Sequence, residues 1–327
     1  MAEFRTFTAI GQREDLSNTI YNIAPTETPV VSSIGKTKAT AVFHEWQTDD
    51  LAAASAAGLK EGDAAGGASD TPTVRVGNRT QIQGKTIHIS GTLDAVDKAG
   101  RKTETAYQLA KAGQELKRDM EKTIMGNQIA VTGTASAARL LASIQTWLLT
   151  NYSSIATGAT AAAPTNGNGT VARTPSSAAQ ATVAFTEGAL KSTVKSCFEN
   201  GGNPTMLVVS PFLKQVVSGF AGIAAQRYEA PTNGSQTTIM GAADVYLSDF
   251  GTLSVVPDRF LTADHATTGD QAFVLDPTML SIATLRPFQS NLLAKDGDSE
   301  KHQMLSEYTL QVSNQKAHGI VADIKNT

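Results

Sequence analysis

Residues 93–127 read LDAVDKAGRKTETAYQLAKAGQELKRDMEKTIMGN. Leu109, Leu116, Met120 and Ile124, with Gly113 between them, fall at helical spacing and share one face. Lys102, Glu104, Lys111, Glu115, Lys117, Arg118, Glu121 and Lys122 fill the rest of the circumference. The pattern predicts an amphipathic helix lying on a sheet by a narrow apolar stripe. A coiled coil fits less well, because the stripe lasts too few heptads and Gly113 interrupts it. Asp94 and Asp97 stand where negative charge favours a helix start, and Gly126 and Asn127 can end it. A helix of about 30 residues is about 45 Å long, well beyond the usual length in a compact domain. Such a rod runs along a flat subunit.

Upstream, Leu16, Ile20 and Ile23 predict a short helix over Glu14 to Ala24, stopped by Pro25. The stretch from Pro25 to Pro29 must be extended or turned. This N-terminal part reads as an arm with too little apolar surface to stand alone, packing on another surface such as a neighbouring subunit. Val42 to Trp46 predicts a strand, followed by Asp49 and Asp50; with His44 and Glu45 these form a polar group read as solvated or interfacial. Ala52 to Pro72 is rich in Ala, Gly, Ser and Asp and reads as a loop without a core. Val74, Val76, Thr80 and Ile82 share one parity and Ile87 and Ile89 the other, so a turn or bulge is expected near Gln83-Gly84. The two strands so defined predict a projecting β-hairpin, which is marginal by itself and needs a partner surface. The Gly-Lys-Thr triplets at Gly35 and Gly84 fail as phosphate loops: the upstream glycine that such a loop requires is Val30 in one case and Arg79 in the other.

Downstream, Leu140, Ile144, Trp147 and Leu148 form an apolar face with Trp147 in the core. Tyr152 to Thr182 is a second low-complexity tract, read as a long surface loop at a domain boundary. Thr186 caps a helix carrying Leu190, Val194 and Phe198, which Asn200-Gly201-Gly202 stops. Met206 to Val209 is a buried strand, and Ser210 caps a second helix that begins with Pro211. Helix, strand, helix implies an open sheet flanked by helices. The rest is mainly β: Asp244 to Leu247, Leu253 to Val256, Ala272 to Leu275, Met279 to Leu285, Tyr308 to Val312 and Gly319 to Ile324, with a charged turn over Asn291 to Gln303. The expected class is α+β.

The 327 residues, 41% hydrophobic and with a formal charge of −3, suffice for a folded core in one large or two modest domains. No basic run marks sequence-specific nucleic-acid binding. Neither a signal peptide nor a membrane span is expected; the longest apolar-rich segment, Leu140 to Leu149, is too short and contains Gln145. The single Cys197 excludes an intramolecular disulfide and a multi-thiolate metal site, and its neighbours Leu190, Val194 and Phe198 mark it as a buried thiol. Asp258, Asp264, His265 and Asp270 lack the spacing of a calcium loop or zinc helix. His88, His302 and His318 are scattered, and Ser210 lacks the glycines of a nucleophile elbow. No catalytic, metal or cofactor constellation is present in the sequence pattern. An arm, a hairpin and a rod that cannot bury themselves imply contact with further copies of the chain.

Several phrases carry a family resemblance: Ile23-Ala24-Pro25-Thr26-Glu27-Thr28-Pro29, His44-Glu45-Trp46-Gln47-Thr48-Asp49-Asp50, Gly77-Asn78-Arg79-Thr80-Gln81-Ile82, the helix through Glu115-Leu116-Lys117-Arg118-Asp119 to Asn127, Arg139-Leu140-Leu141-Ala142, and Trp147 to Asn151. In this order they resemble the major capsid proteins of tailed double-stranded-DNA phages with the Hong Kong 97 fold. The resemblance implies an N-terminal arm at 1–47, an extended β-hairpin loop at 48–92, a peripheral domain with a spine helix at 93–150, an axial domain at 151–285, and C-terminal strands at 286–327 returning to the peripheral domain. It implies hexamers and pentamers in an icosahedral head that encloses genomic DNA without reading its sequence. The partners implied are the chain itself, a portal protein, and scaffolding and decoration proteins, in the virion and before that in the host cytoplasm, with no membrane. No catalytic residue, metal or cofactor transfers. Some relatives crosslink a lysine to a neighbour's asparagine; Lys60 and Lys85 lie in the loop, and nothing marks either as reactive. Inter-subunit contact is expected at Lys60, Glu61, Asp63, Arg75 and Arg79. Two alternatives stay open: a nanocompartment shell of the same fold holding cargo, and an α/β enzyme using residues 186–256, which would need a convergent polar pocket.

Overall fold

The computed structural model describes residues 26–56, 58, 60–62, 71–155, 161–175, 183–220, 244–261 and 270–325. The helix expected over Glu14 to Ala24, half of Ala52 to Ser69, and Asp264 and His265 lie outside these residues. Among the described residues no helix is long and apolar enough to cross a membrane.

The expected rod is shorter than its pattern. The first element among the described residues is a short helix, α1 (Pro29–Ser33); further on, α2 (Gly91–Ala95) is separated by an irregular segment from α3 (Glu104–Met125), which has 22 residues. Gly100 adopts φ +78°, which takes the chain out of the helical path. Asp94 then folds back: its carboxylate accepts from Glu104 N (2.9 Å) and Thr105 Oγ1 (3.2 Å), serving the free amides at the start of α3. These bonds hold the Asp94 carboxyl below the usual carboxylate range. Of the expected stripe, α3 buries Leu116, Met120 and Ile124, whereas Leu109 is half-buried; Ala112 is buried as well, and so are Glu104 and Glu121, which the pattern placed on the outer circumference.

α3 packs on a four-stranded sheet whose order is β1 (Gly35–Lys38), β10 (Leu280–Leu292), β11 (Ser299–Val312), β4 (Gln81–Ser90). β1 joins parallel to β10, and the other pairs are antiparallel. The hairpin expected from the strands at 74–89 does not form. Those strands part at Thr80: β3 (Val74–Arg79) pairs with β2 (Phe43–Thr48), whereas β4 runs unbroken along β11. Gly84 is therefore not a turn. A Cβ there would lie 2.5 Å from Leu305 Cδ2, so the glycine admits the cross-strand leucine. Ile82, read with Val74 and Val76 as one face, is 49% exposed, because Gln81 takes the inward position and bonds Leu141 N and Gln128. The turn expected over Asn291 to Gln303 contracts to 293–298, since β4 satisfies β11 along 299–308 and Gly297, at φ +84°, closes the bend.

A second, six-stranded sheet has the order β5 (Tyr152–Ser154), β12 (Gly319–Ile324), β9 (Asp270–Leu275), β6 (Met206–Val209), β8 (Gly251–Pro257), β7 (Val245–Ser248). On one face lie α4 (Glu187–Glu199) and α5 (Pro211–Ser218) over Leu207, Val209, Leu253, Val274 and Val321. Thr186 and Ser210 cap them as expected, accepting from Ala189 N and Leu213 N. Phe198, assigned to the buried face of α4, is 54% exposed; Thr193 and Cys197 take its place, and Phe198 instead stacks on Phe250 with centroids 4.9 Å apart. The opposite face of the sheet shares a core with the first sheet: Met206, Val208, Phe273 and Ile320 join Val30, Ile124, Leu141, Trp147, Leu148, Ile282 and Leu310.

Candidate functional site

The end of α3 meets the second sheet at a buried polar joint. β12 is irregular between Val321 and Ile324, and Asp323 there has φ +62°. Asp tolerates the left-handed region better than most residues. Its carboxylate accepts from Arg173 Nη1 (2.9 Å) through Oδ1, and from Ser154 Oγ (2.8 Å) and Tyr152 OH (3.2 Å) through Oδ2. Burial pushes the Tyr152 phenol upward. Arg173 Nε donates to Gln145 Oε1 (3.2 Å), and Gln145 Nε2 donates to Met125 O (2.9 Å) and Gln271 Oε1 (2.8 Å). Asn127 exchanges two bonds with the Arg173 backbone. The network joins the end of α3, the segment at 144–148, β5, β9 and β12. A buried ion pair with its remaining lone pairs and protons satisfied fixes one relative placement of the elements that it ties.

This joint corrects the expectation of a plain surface loop over Tyr152 to Thr182. Tyr152–Ser154 is a strand, and residues 161–175 pack inward: a Cβ on Gly169 would lie 2.6 Å from Ala142 Cβ and 3.0 Å from the Trp147 ring. One signal was available, because Arg173 is the one charged residue between positions 152 and 182.

Two further anchors surround the joint. Trp46 of β2 stacks on Trp147 with centroids 5.4 Å apart. Buried Glu307 of β11 accepts from Thr80 Oγ1 (2.8 Å) and Arg286 Nε (2.8 Å) and pairs with Arg139. Neither Glu307 nor Asp323 stood out in the sequence, because each lies within a β pattern read by its apolar neighbours.

Of the five residues expected at inter-subunit contacts, four are described. Lys60 and Glu61 are exposed, and Asp63 lies outside the described residues. Arg75 and Arg79 are both on β3. Arg75 Nε pairs with Glu45 across the ribbon at 2.7 Å, and the Arg79 guanidinium covers the Phe43 ring at 4.9 Å. An exposed pair of this kind contributes about 0–1 kcal/mol. Lys85 is held by Asp119 (3.1 Å) and Glu115 (3.6 Å), whose bonds and charges raise its pKa. Ser210 donates to Asp270 Oδ2 (2.5 Å) while capping α5, and burial pushes the Cys197 thiol up to about 12. Among the described residues no group of three or more His, Cys, Asp or Glu could hold a metal ion.

Comparison with known proteins places this arrangement. A major capsid protein of Escherichia phage Phieco32 is 36% identical over 126 residues, 38% of this chain and 36% of that protein, so the match spans about a third of the relative's length. A solved chain from Mycobacterium phage Bobi superposes with a TM-score of 0.60 at 12% identity, covering 95% of each chain. The holo-SrpI encapsulin complex from Synechococcus elongatus PCC 7942 gives 0.53 at 9% identity over 97% of this chain and 94% of that one. At such identities the likeness is one of fold, the fold that the resemblance in sequence implied. The family described as SU10 major capsid protein matches residues 3–325, and the chain belongs to it.

Proposed function

We propose that the chain is the building subunit of a phage head, assembling into hexamers and pentamers of an icosahedral shell that encloses double-stranded DNA. The observation that carries this reading is the family match over nearly the whole chain. The two-stranded β2–β3 ribbon supports it: such a ribbon is marginal alone, and Phe43, Val74 and Leu51 on and beyond it are exposed. In this reading residues 1–47 are the arm, 48–92 the extended loop, 93–150 the peripheral domain, 151–285 the axial domain, and 286–327 the strands that return to the periphery. Lys60, Glu61, Asp63, Arg75 and Arg79 contact neighbouring subunits. Portal, scaffolding and decoration proteins are the further partners, the subunit waits in the host cytoplasm before assembly, and it carries out no chemical step. A cargo-holding shell is the second reading, favoured by the fold shared with the encapsulin.

The test is electron microscopy with sedimentation velocity on the protein expressed alone and with its neighbouring genes. Closed shells or five- and six-membered rings are expected, with DNA inside when the packaging genes are present. Deleting Ala52 to Ser69 should block closed shells while leaving the subunit folded. A monomer at high concentration under every condition would refute assembly, and shells filled with an enzyme would favour the second reading.

A further inference from the structure

Four Asn-Gly pairs stand in the chain, at Asn166, Asn168, Asn200 and Asn233, the last outside the described residues. Such a pair can react with itself, because the glycine nitrogen can close a ring on the asparagine carboxamide and glycine has no Cβ to bar the approach. Asn166 to Thr170 turn the loop that the bridge between Ala162 and Thr174 closes. There Asn168 Oδ1 accepts twice from Thr170, from its N–H (3.2 Å) and from its Oγ1 (2.7 Å). Thr170 Oγ1 in turn accepts from Asn166 Nδ2 (3.2 Å), which directs the hydroxyl proton onto Asn168. Two donors thus meet the oxygen on which negative charge develops when the Asn168 carboxamide is attacked, an arrangement that lowers the barrier to acyl transfer.

The reacting nitrogens are unengaged as well. Asn168 Nδ2, the leaving group, and the Gly169 N–H, the nucleophile, have no hydrogen-bond partner among the described residues. Water reaches the turn, since Asn166 and Thr170 are exposed and Asn168 is half-buried. Neither of the other two described pairs is held in this way. Asn166 Oδ1 accepts one long bond, from Thr165 Oγ1 (3.4 Å). At Asn200 the carboxamide is tied through its nitrogen, which donates to Asn151 Oδ1 (3.0 Å) and Ser196 O (2.8 Å). The Gly201 N–H donates to Phe198 O (3.0 Å) in the turn that ends α4.

We propose that Asn168 is a site of spontaneous modification, converting through a succinimide to aspartate and isoaspartate, and that the conversion loosens the loop that carries Arg173 to the buried joint. Hydroxide takes the Gly169 amide proton. The bond from Gly169 N to Asn168 Cγ forms as the Cγ–Nδ2 bond breaks, and the nitrogen leaves as ammonia with a proton from water. Water then opens the ring at either carbonyl, and nothing is oxidised or reduced. Opening at the backbone carbonyl gives isoaspartate, in which the chain runs through Cβ and Cγ and is longer by one methylene. Gly169, next in the chain, has no room to shift: a Cβ there would lie 2.6 Å from Ala142 Cβ and 3.0 Å from the Trp147 ring, and Gly169 O accepts from Ala130 N (3.0 Å). The longer chain therefore strains these contacts four residues before Arg173. The chemistry belongs to the folded subunit and is independent of whether a shell has formed.

Peptide mapping by mass spectrometry tests this on the full-length, unassembled subunit aged in buffers between pH 6 and pH 8.5. Asn168 should be the first of the three described Asn-Gly sites to exchange amide for acid, at a rate rising about tenfold per pH unit as a hydroxide-driven step does. Thr170→Val, which removes the hydroxyl and keeps the N–H, should slow Asn168 about fivefold while leaving Asn200 unchanged, and Thr170→Ser should restore the rate. Hydrogen exchange at the Ala130 amide should be faster in the isoaspartate fraction, separated by chromatography, than in fresh protein. Conversion at Asn166 or Asn200 ahead of Asn168, an unchanged rate in Thr170→Val, or full protection of Ala130 in the isoaspartate fraction would overturn the proposal. Should the variant not fold, the order of sites in the wild type decides by itself.

Discussion

Replacing Arg173 by Met tests the joint directly. The side chains of Arg173 and Asp323 are 1% and 0% exposed, so no water can take over the guanidinium's role. Met fills much of the volume but takes the guanidinium from the Asp323 carboxylate, which keeps the Ser154 and Tyr152 hydroxyls, and leaves Gln145 Oε1 without the Arg173 Nε–H. Removing one partner of a buried pair costs about 3–5 kcal/mol, roughly a hundred- to several-thousand-fold in the folding equilibrium. Urea unfolding of the unassembled subunit, followed by far-ultraviolet circular dichroism, reads this as a lower midpoint at unchanged slope. Asp323→Asn should cost a similar amount from the other side, since Asn also tolerates a positive φ and the loss is then the stranded guanidinium. The double variant removes the charge with its partner and should cost about 1–3 kcal/mol less than the sum of the single losses. A loss below about 1 kcal/mol for Arg173→Met, or strict additivity, would refute the claim that this pair fixes the segment around Arg173 on the second sheet.

His318 is fully buried, and burial, the dominant cause, pushes its pKa down to about 4 from 6.5; its Nδ1 accepts from Asp276 N (3.2 Å), which requires the neutral ring. The native state therefore binds fewer protons than the unfolded chain between these values, and stability falls as pH drops from 6.5 toward 4. Burial pushes the Glu121 carboxyl up to about 7 from 4.5, which acts in the opposite sense over an overlapping window, so the measurement is the difference between wild-type and His318→Asn stability curves, in which the acid-side loss should be absent from the variant. At Gly319 a Cβ would stand 2.5 Å from Thr193 Cγ2 and 2.9 Å from Cys197 Sγ, because α4 lies directly on β12. Gly319→Ala should cost about 1–3 kcal/mol of overpacking in the same unfolding assay, and Thr193→Ser, which deletes the nearer carbon, should recover more of it than Cys197→Ala; the reverse order would contradict the geometry.

What the sequence made legible was local. Thr186 and Ser210 sit one position before their helices, where a hydroxyl can reach only the amides of the next turn, so their roles follow from spacing. The strand Gly319–Ile324 is bounded as its apolar run is, and α3 buries Leu116, Met120 and Ile124 of the stripe that its period selects. Pairing was not legible, because the partner of a strand is chosen by contacts distant in sequence: nothing in Val74 to Arg79 states that it prefers Phe43 to Thr48 over the strand that follows it. The length of α3 failed for a related reason. Its start is set by Asp94 reaching across ten positions rather than by a cap beside Glu104. Arg173 stood out only as the one charge among the small residues of its tract, with no spacing to name Asp323 as its partner.

The joint and the ribbon act together. Trp46, midway along β2, stacks on Trp147, and Trp147 is two residues from Gln145, which holds the Arg173 guanidinium. His44 on the same strand reaches Gln311 of β11 (3.0 Å), and Asn78 of β3 donates to Leu310 O (2.7 Å) and Ala142 O (3.0 Å). The base of the ribbon is thus fixed on both strands to the same core that the joint locks, while Leu51 just beyond it is 98% exposed. Past the end of β2, Asp50 also accepts from Lys316 Nζ at 2.7 Å, so the ribbon is tied to the body at both ends of β2 and moves with it. In the shell proposed above, the orientation at which the chain leaves β2 is therefore set by the body of the subunit. In that shell a substitution at Arg173 or Trp147 that leaves the subunit folded should change the curvature of the surface, read as an altered particle diameter by electron microscopy, whereas a change of charge at exposed Lys60 or Glu61 should alter assembly yield at unchanged diameter.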